Sequence, residues 1–327
     1  MSNILLCDLG GTHARFSTLE DGAIAPVQIY KVAGFGSFAD VLMHHSVAIG
    51  AQFSGAILFI ASAGSMNAEG NWVGASLPWK INVGSLAKEF GLADIKIIND
   101  FHATALALPS LQSDQVHVIQ EGVSGLKEFC VAGCGTGLGL AHCYEDGAGQ
   151  LQVRQTYGGH MAFSGGTDEQ QDIIQRVKQV LRLGRTLVAE DVASGTGLSN
   201  LYAALSGVIP APTGEEIVAK AKAGEGNAQT AIRLHTELLA LFCHQAVLYA
   251  GVGGRLYLTG ALLLSLHANN LLDLSVFKEN FTQNPAEIVR QGLEEMHIAL
   301  IQNETPALMG LWALHESPDG KKASAAA

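Results

Sequence analysis

The chain predicts an α/β protein of two layered domains, and three observations carry that expectation. Short apolar runs of strand character alternate with segments of helical periodicity, in two successive blocks. The 327 residues exceed the usual size of a single hydrophobic core. A pattern of strand, glycine-rich turn and strand occurs at the start of the chain and again from Phe129.

The first of these, Asn3 to Leu19, reads as two strands around Gly10-Gly11, because Thr12, Phe16, Ser17 and Thr18 favour extended backbone and show no helical period. It matches neither the dinucleotide fingerprint nor the P-loop spacing. What remains is a hairpin whose glycines let backbone N–H groups approach a phosphate closely. Ser54 to Ala61 reads as a buried strand, and Asp94 to Ile98 as another, leading into Asn99-Asp100-Phe101.

The second hairpin spans Phe129 to Tyr144, with Gly135-Thr136-Gly137 at its turn. Thr167-Asp-Glu-Gln170 predicts a capping box opening a helix whose inner face is Ile173, Ile174, Val177, Val180 and Leu181. Ser194-Gly-Thr-Gly197 opens a further helix with Leu198, Leu201, Tyr202 and Leu205 inward. A long helix runs from Asn227 to Ala250, its His235 and His244 read as packed or surface residues. Strands follow at Arg255 to Thr259, ending on Gly260, and at His297 to Ile301, before a closing helix through Trp312 and Leu314. The turn-rich Pro109 to Asp114 marks the expected boundary.

Hydrophobic residues make up 48% and charged residues 15%, which supports a large buried interior and excludes a disordered chain. The net charge of −11, with no basic cluster beyond Lys321-Lys322, argues against nucleic acid as a partner. No apolar run reaches the roughly 20 residues that span a bilayer, and no signal peptide is expected. The five cysteines sit in apolar stretches, as thiols do in a reducing cytoplasm. The spacing of Cys130, Cys134 and Cys143 lacks a partner pair to complete a zinc site.

Taken together, Asp8-Leu-Gly-Gly-Thr12 with Arg15, Ile98-Asn-Asp-Phe101, Gly133-Cys-Gly-Thr-Gly-Leu-Gly139, Gly158-Gly-His160 and Ala189-Glu190 leading to Ser194-Gly-Thr-Gly-Leu198 follow the order found in bacterial glucokinases. The resemblance runs from residue 3 to about residue 315, and the absence of a Cys-rich zinc motif separates the chain from the related ROK sugar kinases. It implies a two-domain actin-like, or ribonuclease H-like, ATPase fold with a cleft between the domains. Residues 1–110 with 303–318 would form a small domain, 111–302 a large one, and 319–327 a disordered tail.

The same resemblance implies ATP-dependent phosphorylation of glucose at its 6-hydroxyl, with ATP and Mg2+, in the cytoplasm. Homodimers are common in the family. Asp100 would be the general base. Asn99, Asp100, Tyr157, His160 and Glu190 occupy positions of sugar contacts. Asp8, Gly10, Gly11, Thr12, Gly135, Thr136, Gly137 and Gly260 occupy positions of the nucleotide site, with Asp8 facing the magnesium through water. Each has a plainer reading: Asn99 or Asp100 as a helix cap, Asp8 as a turn former, Arg15 as a surface cation, His160 as an ordinary buried histidine, Glu190 as a helix-dipole partner.

Three positions depart from the family pattern. Tyr157 stands where a glutamate is usual, Ala75-Ser76 precede Leu77-Pro78-Trp79 in place of Thr-Asn, and Gly260-Ala261 replaces Gly-Gly. Tyr157 and Ser76 bear on the sugar, so a kinase for an amino or N-acyl hexose and a non-catalytic sugar-binding regulator are the alternatives.

Overall fold

The computed structural model describes residues 4–20, 23–74, 76–122, 128–251 and 254–317. Its contacts divide the chain into Met1–Leu111 with Thr305–Ala327, and Gln112–Glu304. The tail expected to be disordered, the Lys321-Lys322 pair and Ala75 lie outside the described residues.

In the first unit β1 (Ile4–Leu9) and β2 (His13–Glu20) form the expected hairpin. They are followed by β3 (Ala23–Ile24), β4 (Gln28–Lys31), α1 (Phe38–Ile49) and β5 (Ile57–Ala61). A small antiparallel sheet of β6 (Gly64–Met66), β7 (Asn71–Gly74) and β8 (Lys80–Asn82) comes next, then α2 (Val83–Phe90), β9 (Asp94–Ile98) and α3 (Asp100–Ala107). The main sheet is ordered β3-β2-β1-β5-β9, with β4 also on β2, and β1, β5 and β9 run parallel.

Alternation along these strands divides their apolar side chains between two cores. Leu5, Cys7, Leu9, Leu58 and Ile60 pack with Phe38, Val41 and Leu42 of α1. Ile4, Leu6, Ile57, Phe59 and Ala61 face Ala103 of α3 and Ala307, Leu308 and Leu311 of the closing helix. Both faces being covered, β1 and β5 read as continuous apolar runs. Gly310 of the closing helix lies where a Cβ would sit 1.6 Å from the Ala103 carbonyl, so α3 and that helix meet backbone to backbone.

The second unit holds β10 (Val116–Gln120), β11 (Glu128–Cys134), β12 (Leu138–Glu145), β13 (Leu151–Gln155), α4 (Asp168–Val180), α5 (Glu190–Ala193), α6 (Gly195–Ser206), α7 (Gly214–Lys222) and α8 (Gly226–Ala250). It continues with β14 (Arg255–Thr259), α9 (Ala261–Ala268), α10 (Leu274–Thr282), α11 (Glu287–Glu294) and β15 (His297–Ile301); α12 (Pro306–Glu316), the closing helix, belongs to the first unit. Its sheet is ordered β10-β15-β14-β11-β12-β13, with β11, β14 and β15 parallel. The run β12-β11-β14-β15 repeats β2-β1-β5-β9 strand for strand: an antiparallel hairpin whose first strand is extended by two parallel neighbours.

Local departures from expectation have local causes. The strand read from Ser54 begins at Ile57, because Gly55 turns the chain with φ +74°. Thr167 caps α4 through the Gln170 N–H, but Gln170 Oε1 accepts from the Gly166 N–H and not from Thr167, so only half of the expected capping box forms. His235 and His244 are both buried. Among the described residues no helix is long and apolar enough to cross a membrane.

Candidate active site

In the first unit the hairpin and register bring two aspartates to one end of the sheet. Asp8 lies across from Ala61 of β5, which lies across from Ile98 of β9, and Asp100 follows two residues later. Both therefore sit at the carboxyl ends of parallel strands, where open α/β sheets bind ligands. Burial raises the Asp8 carboxyl, and Arg15, donating to Asp8 Oδ2 at 3.3 Å, offsets part of that. Burial first, and the Asp8 charge second, push Asp100 up to about 6. A carboxyl so placed gives up its proton near neutral pH and accepts one readily.

Asn99 is the residue that caps α3: its Oδ1 accepts from the Phe101 and His102 N–H groups at 2.9 and 3.2 Å. Asp100 Oδ1 also accepts from the Phe101 N–H, at 3.0 Å. The Asn99 carbonyl oxygen is thus committed to the helix, and its amide N–H2 is the group left to donate outward. At the hairpin tip the Gly10 N–H donates to the His13 carbonyl at 3.0 Å, and the Thr12 carbonyl accepts from Val32. Gly11 and Thr12 are exposed. Gly11 has to be glycine, since a Cβ there would lie 2.6 Å from the Cβ of Ser76. Ser76 thereby supports the loop, a part its sequence gives no sign of.

The second unit gathers its candidate residues around the β11–β12 turn. The Gly135 N–H closes the turn on the Gly137 carbonyl at 3.0 Å, and Thr136 projects from it, exposed. Glu190, the first residue of α5, reaches this turn: its Oε2 accepts from the Leu138 N–H at 2.9 Å and lies where a Cβ on Gly137 would come within 2.6 Å. The start of α6 braces the other side, the Gly195 N–H donating to Gly135 O at 2.8 Å and the Thr196 hydroxyl to Thr136 O at 3.0 Å. Ser194 to Gly197 reads in the sequence as a helix start, and the bracing, which joins positions 60 residues apart, leaves no local signal there.

The short turn Gly158–His160 packs on the same hairpin. A Cβ on Gly159 would stand 2.0 Å from Leu138 O, so the contact admits only glycine. His160 is exposed, not buried, and Tyr157 is 63% exposed with its ring centroid 6.4 Å from that of His160. Gly260, at φ +122°, follows β14 and approaches Cys134 O to within 2.1 Å of where a Cβ would be. Ala261 begins α9 with its side chain exposed. Gly135, Thr136, Gly137, Glu190, Gly158–His160 and Gly260 therefore cluster at one end of one sheet, as Asp8, Gly10, Gly11, Thr12, Asn99 and Asp100 do in the other unit.

The comparisons with known proteins agree along most of the chain. The glucokinase family model matches residues 5–317. A glucokinase of Tolumonas auensis is 28% identical over 316 residues, covering 94% of this chain and 95% of its own. One of Stenotrophomonas maltophilia is 31% identical over 79% of this chain and 80% of its own length. Among solved structures, a glucokinase from an Antarctic psychrotroph superposes with TM-score 0.75 at 25% identity, covering 97% of this chain and all of that one. A Balamuthia mandrillaris glucokinase solved with glucose has the same fold, with TM-score 0.76 at 20% identity. The fold is thus that of the actin-like, hexokinase-type sugar kinases, and the chain belongs to the glucokinase family.

Proposed function

We propose that this protein transfers the γ-phosphoryl group of ATP to the 6-hydroxyl of glucose, giving glucose 6-phosphate and ADP, with Asp100 as general base. The observation that carries the reading is Asp100 itself, at the carboxyl end of β9 with its carboxyl raised to about 6 by burial and by Asp8. The sugar oxygen bonds to the γ-phosphorus as the bond from that phosphorus to the β,γ-bridging oxygen breaks, and the hydroxyl proton passes to the Asp100 carboxylate. Ionised above about pH 6, that carboxylate needs no further activation.

Asn99, Tyr157, His160 and Glu190 are the remaining sugar contacts, each offering a donor or acceptor to a hydroxyl. The backbone and hydroxyl donors of Gly11 and Thr12, and of Thr136 and Gly137, cradle the phosphates; Gly10 and Gly135, whose own N–H groups close the two turns, let the loops come near, and Gly260 admits the adenosine. Asp8 and Asp100 confront each other with like charge at one sheet end, a set of acceptor-only oxygens that suits a hard divalent cation. Asp8 fits magnesium through water on that ground; when bound, the ion neutralises phosphate charge. Five buried free thiols support a reducing, cytoplasmic setting.

The test is ADP release from MgATP in a coupled assay with glucose, mannose, glucosamine and N-acetylglucosamine in turn. Turnover is expected with glucose, and Asp100→Ala should lower kcat by about 10²-fold or more while the circular dichroism spectrum is unchanged. Silence with every sugar, or an Asp100→Ala variant as active as the parent, sinks the reading.

A further inference from the structure

The two segments that carry the proposed sugar contacts His160 and Glu190 are bonded to each other. Ala162 pairs antiparallel with Val188, the Phe163 N–H donates to Leu187 O at 3.1 Å, and the Ala189 N–H donates to Met161 O at 3.1 Å. The last of these bonds joins Met161, the residue after His160, to Ala189, the residue before Glu190, so the pairing ties the two contact-bearing segments together where one leaves the Gly158–His160 turn and the other enters α5. A ladder this short has little to fix it by itself.

The fixing comes from two residues outside it. Asp191, 9% exposed, accepts from the Val188 N–H at 2.9 Å through Oδ2, and Arg185 grips both its oxygens, at 2.8 and 2.7 Å. Arg185 also donates to Thr186 O at 2.8 Å, and Asn200 Nδ2 donates to the Asp191 carbonyl at 2.9 Å. Arg185, Thr186, Val188 and Asp191 are thus closed into one ring that leads directly into Ala189 and Glu190. Burial works to raise the Asp191 carboxyl; Arg185, the Val188 N–H and the nearby His160 outweigh it and hold it below the usual range. A forked, two-point grip of this kind fixes geometry in a way a lysine cannot.

We propose that Arg185 and Asp191 are positioning residues for the sugar site: they hold the pairing of the two segments that carry His160 and Glu190, and so set glucose affinity without touching glucose. The proposal rests on the reading of His160 and Glu190 as sugar contacts.

The experiment is glucose binding by calorimetry without nucleotide, with steady-state kinetics, on the full-length protein and its Arg185→Ala, Arg185→Lys, Asp191→Asn and His160→Ala variants. Arg185 is half-exposed, so Arg185→Ala is expected to fold. It should weaken glucose binding about tenfold and raise the KM for glucose likewise, with the KM for ATP unchanged. Arg185→Lys should recover only part of the loss, and Asp191→Asn, which keeps the shape of the carboxylate, should move the same way. A lowered melting temperature with glucose affinity intact in Arg185→Ala means that the pair only supports the fold, and overturns the proposal. Weak binding in His160→Ala beside full affinity in Arg185→Ala overturns the positioning role and leaves the sugar site standing. Full affinity in both overturns the His160 contact as well.

Discussion

An aspartate proposed to take a proton, and yet largely shielded from water near a second aspartate, destabilises the fold it serves. Asp100 is held at about 6 in the folded chain, against about 3.9 in an unfolded one. Between those values the folded state binds more protons than the unfolded, so the stability this group supplies is complete below the lower value and lost as pH rises through the upper. Roughly two pKa units correspond to an upper bound of about 3 kcal/mol. Asp100→Asn, which keeps an acceptor for the Phe101 N–H, should therefore raise the melting temperature at pH 8 and lose that advantage below about pH 4. Calorimetry across that range checks it, and an Asn variant less stable at pH 8 contradicts the burial argument. If Asp100 is the base, activity runs the other way: kcat/KM for glucose should fall about tenfold per unit below about pH 6, as its carboxylate becomes protonated. Removing the neighbouring charge with Asp8→Asn should move that acid limb to lower pH in whatever activity remains, because Asp8 is one of the two causes of the shift.

The β11–β12 turn is bounded by contacts of unequal tolerance, and the glycines around it separate local freedom from enforced proximity. Nothing lies within 4 Å of a Cβ on Gly135, whereas one on Gly260 would meet the Cys134 backbone carbonyl at 2.1 Å, from a residue already at φ +122°. Gly135→Ala should change stability by no more than about 0.5 kcal/mol, and Gly260→Ala should cost about 3 kcal/mol or more, from strain and overpacking together. Urea melts measure both. The pair also tests the phosphate cradle: if the turn receives phosphate through its backbone, Gly135→Ala raises the KM for ATP in a protein that is otherwise as stable as the parent. An unchanged KM for ATP removes the need for close approach at Gly135. Gly137→Ala falls between the two, since its obstacle is the movable end of Glu190, and accommodating it breaks the bond from Leu138 to that carboxylate.

Across the molecule, what could be read from sequence follows the range of the interactions involved. The strands Asp94–Ile98, Arg255–Thr259 and His297–Ile301 were legible residue for residue, because each is a short apolar run closed by a turn former. Both hairpins were legible from their glycines. Helix α1 was not, since it leaves Met43 and Val47 exposed while burying His45, which blurs its apolar stripe. The bracing of Gly135 by Gly195, the support of Gly11 by Ser76 and the grip of Arg185 on Asp191 depend on tertiary register that no local pattern encodes. The five cysteines show the same division: their apolar surroundings were visible in the sequence, and the folded chain adds their ionisation. All five are buried, burial raising Cys130 and Cys143 to about 12 and Cys7, Cys134 and Cys243 upward as well. Since the thiolate is the reactive form, the native protein should resist Ellman's reagent and release all five equivalents only on unfolding. Thiols reacting one by one in native buffer would show that the sheets bearing Cys7, Cys130, Cys134 and Cys143 open locally. A single step coincident with loss of circular dichroism would show that they open only with the fold as a whole.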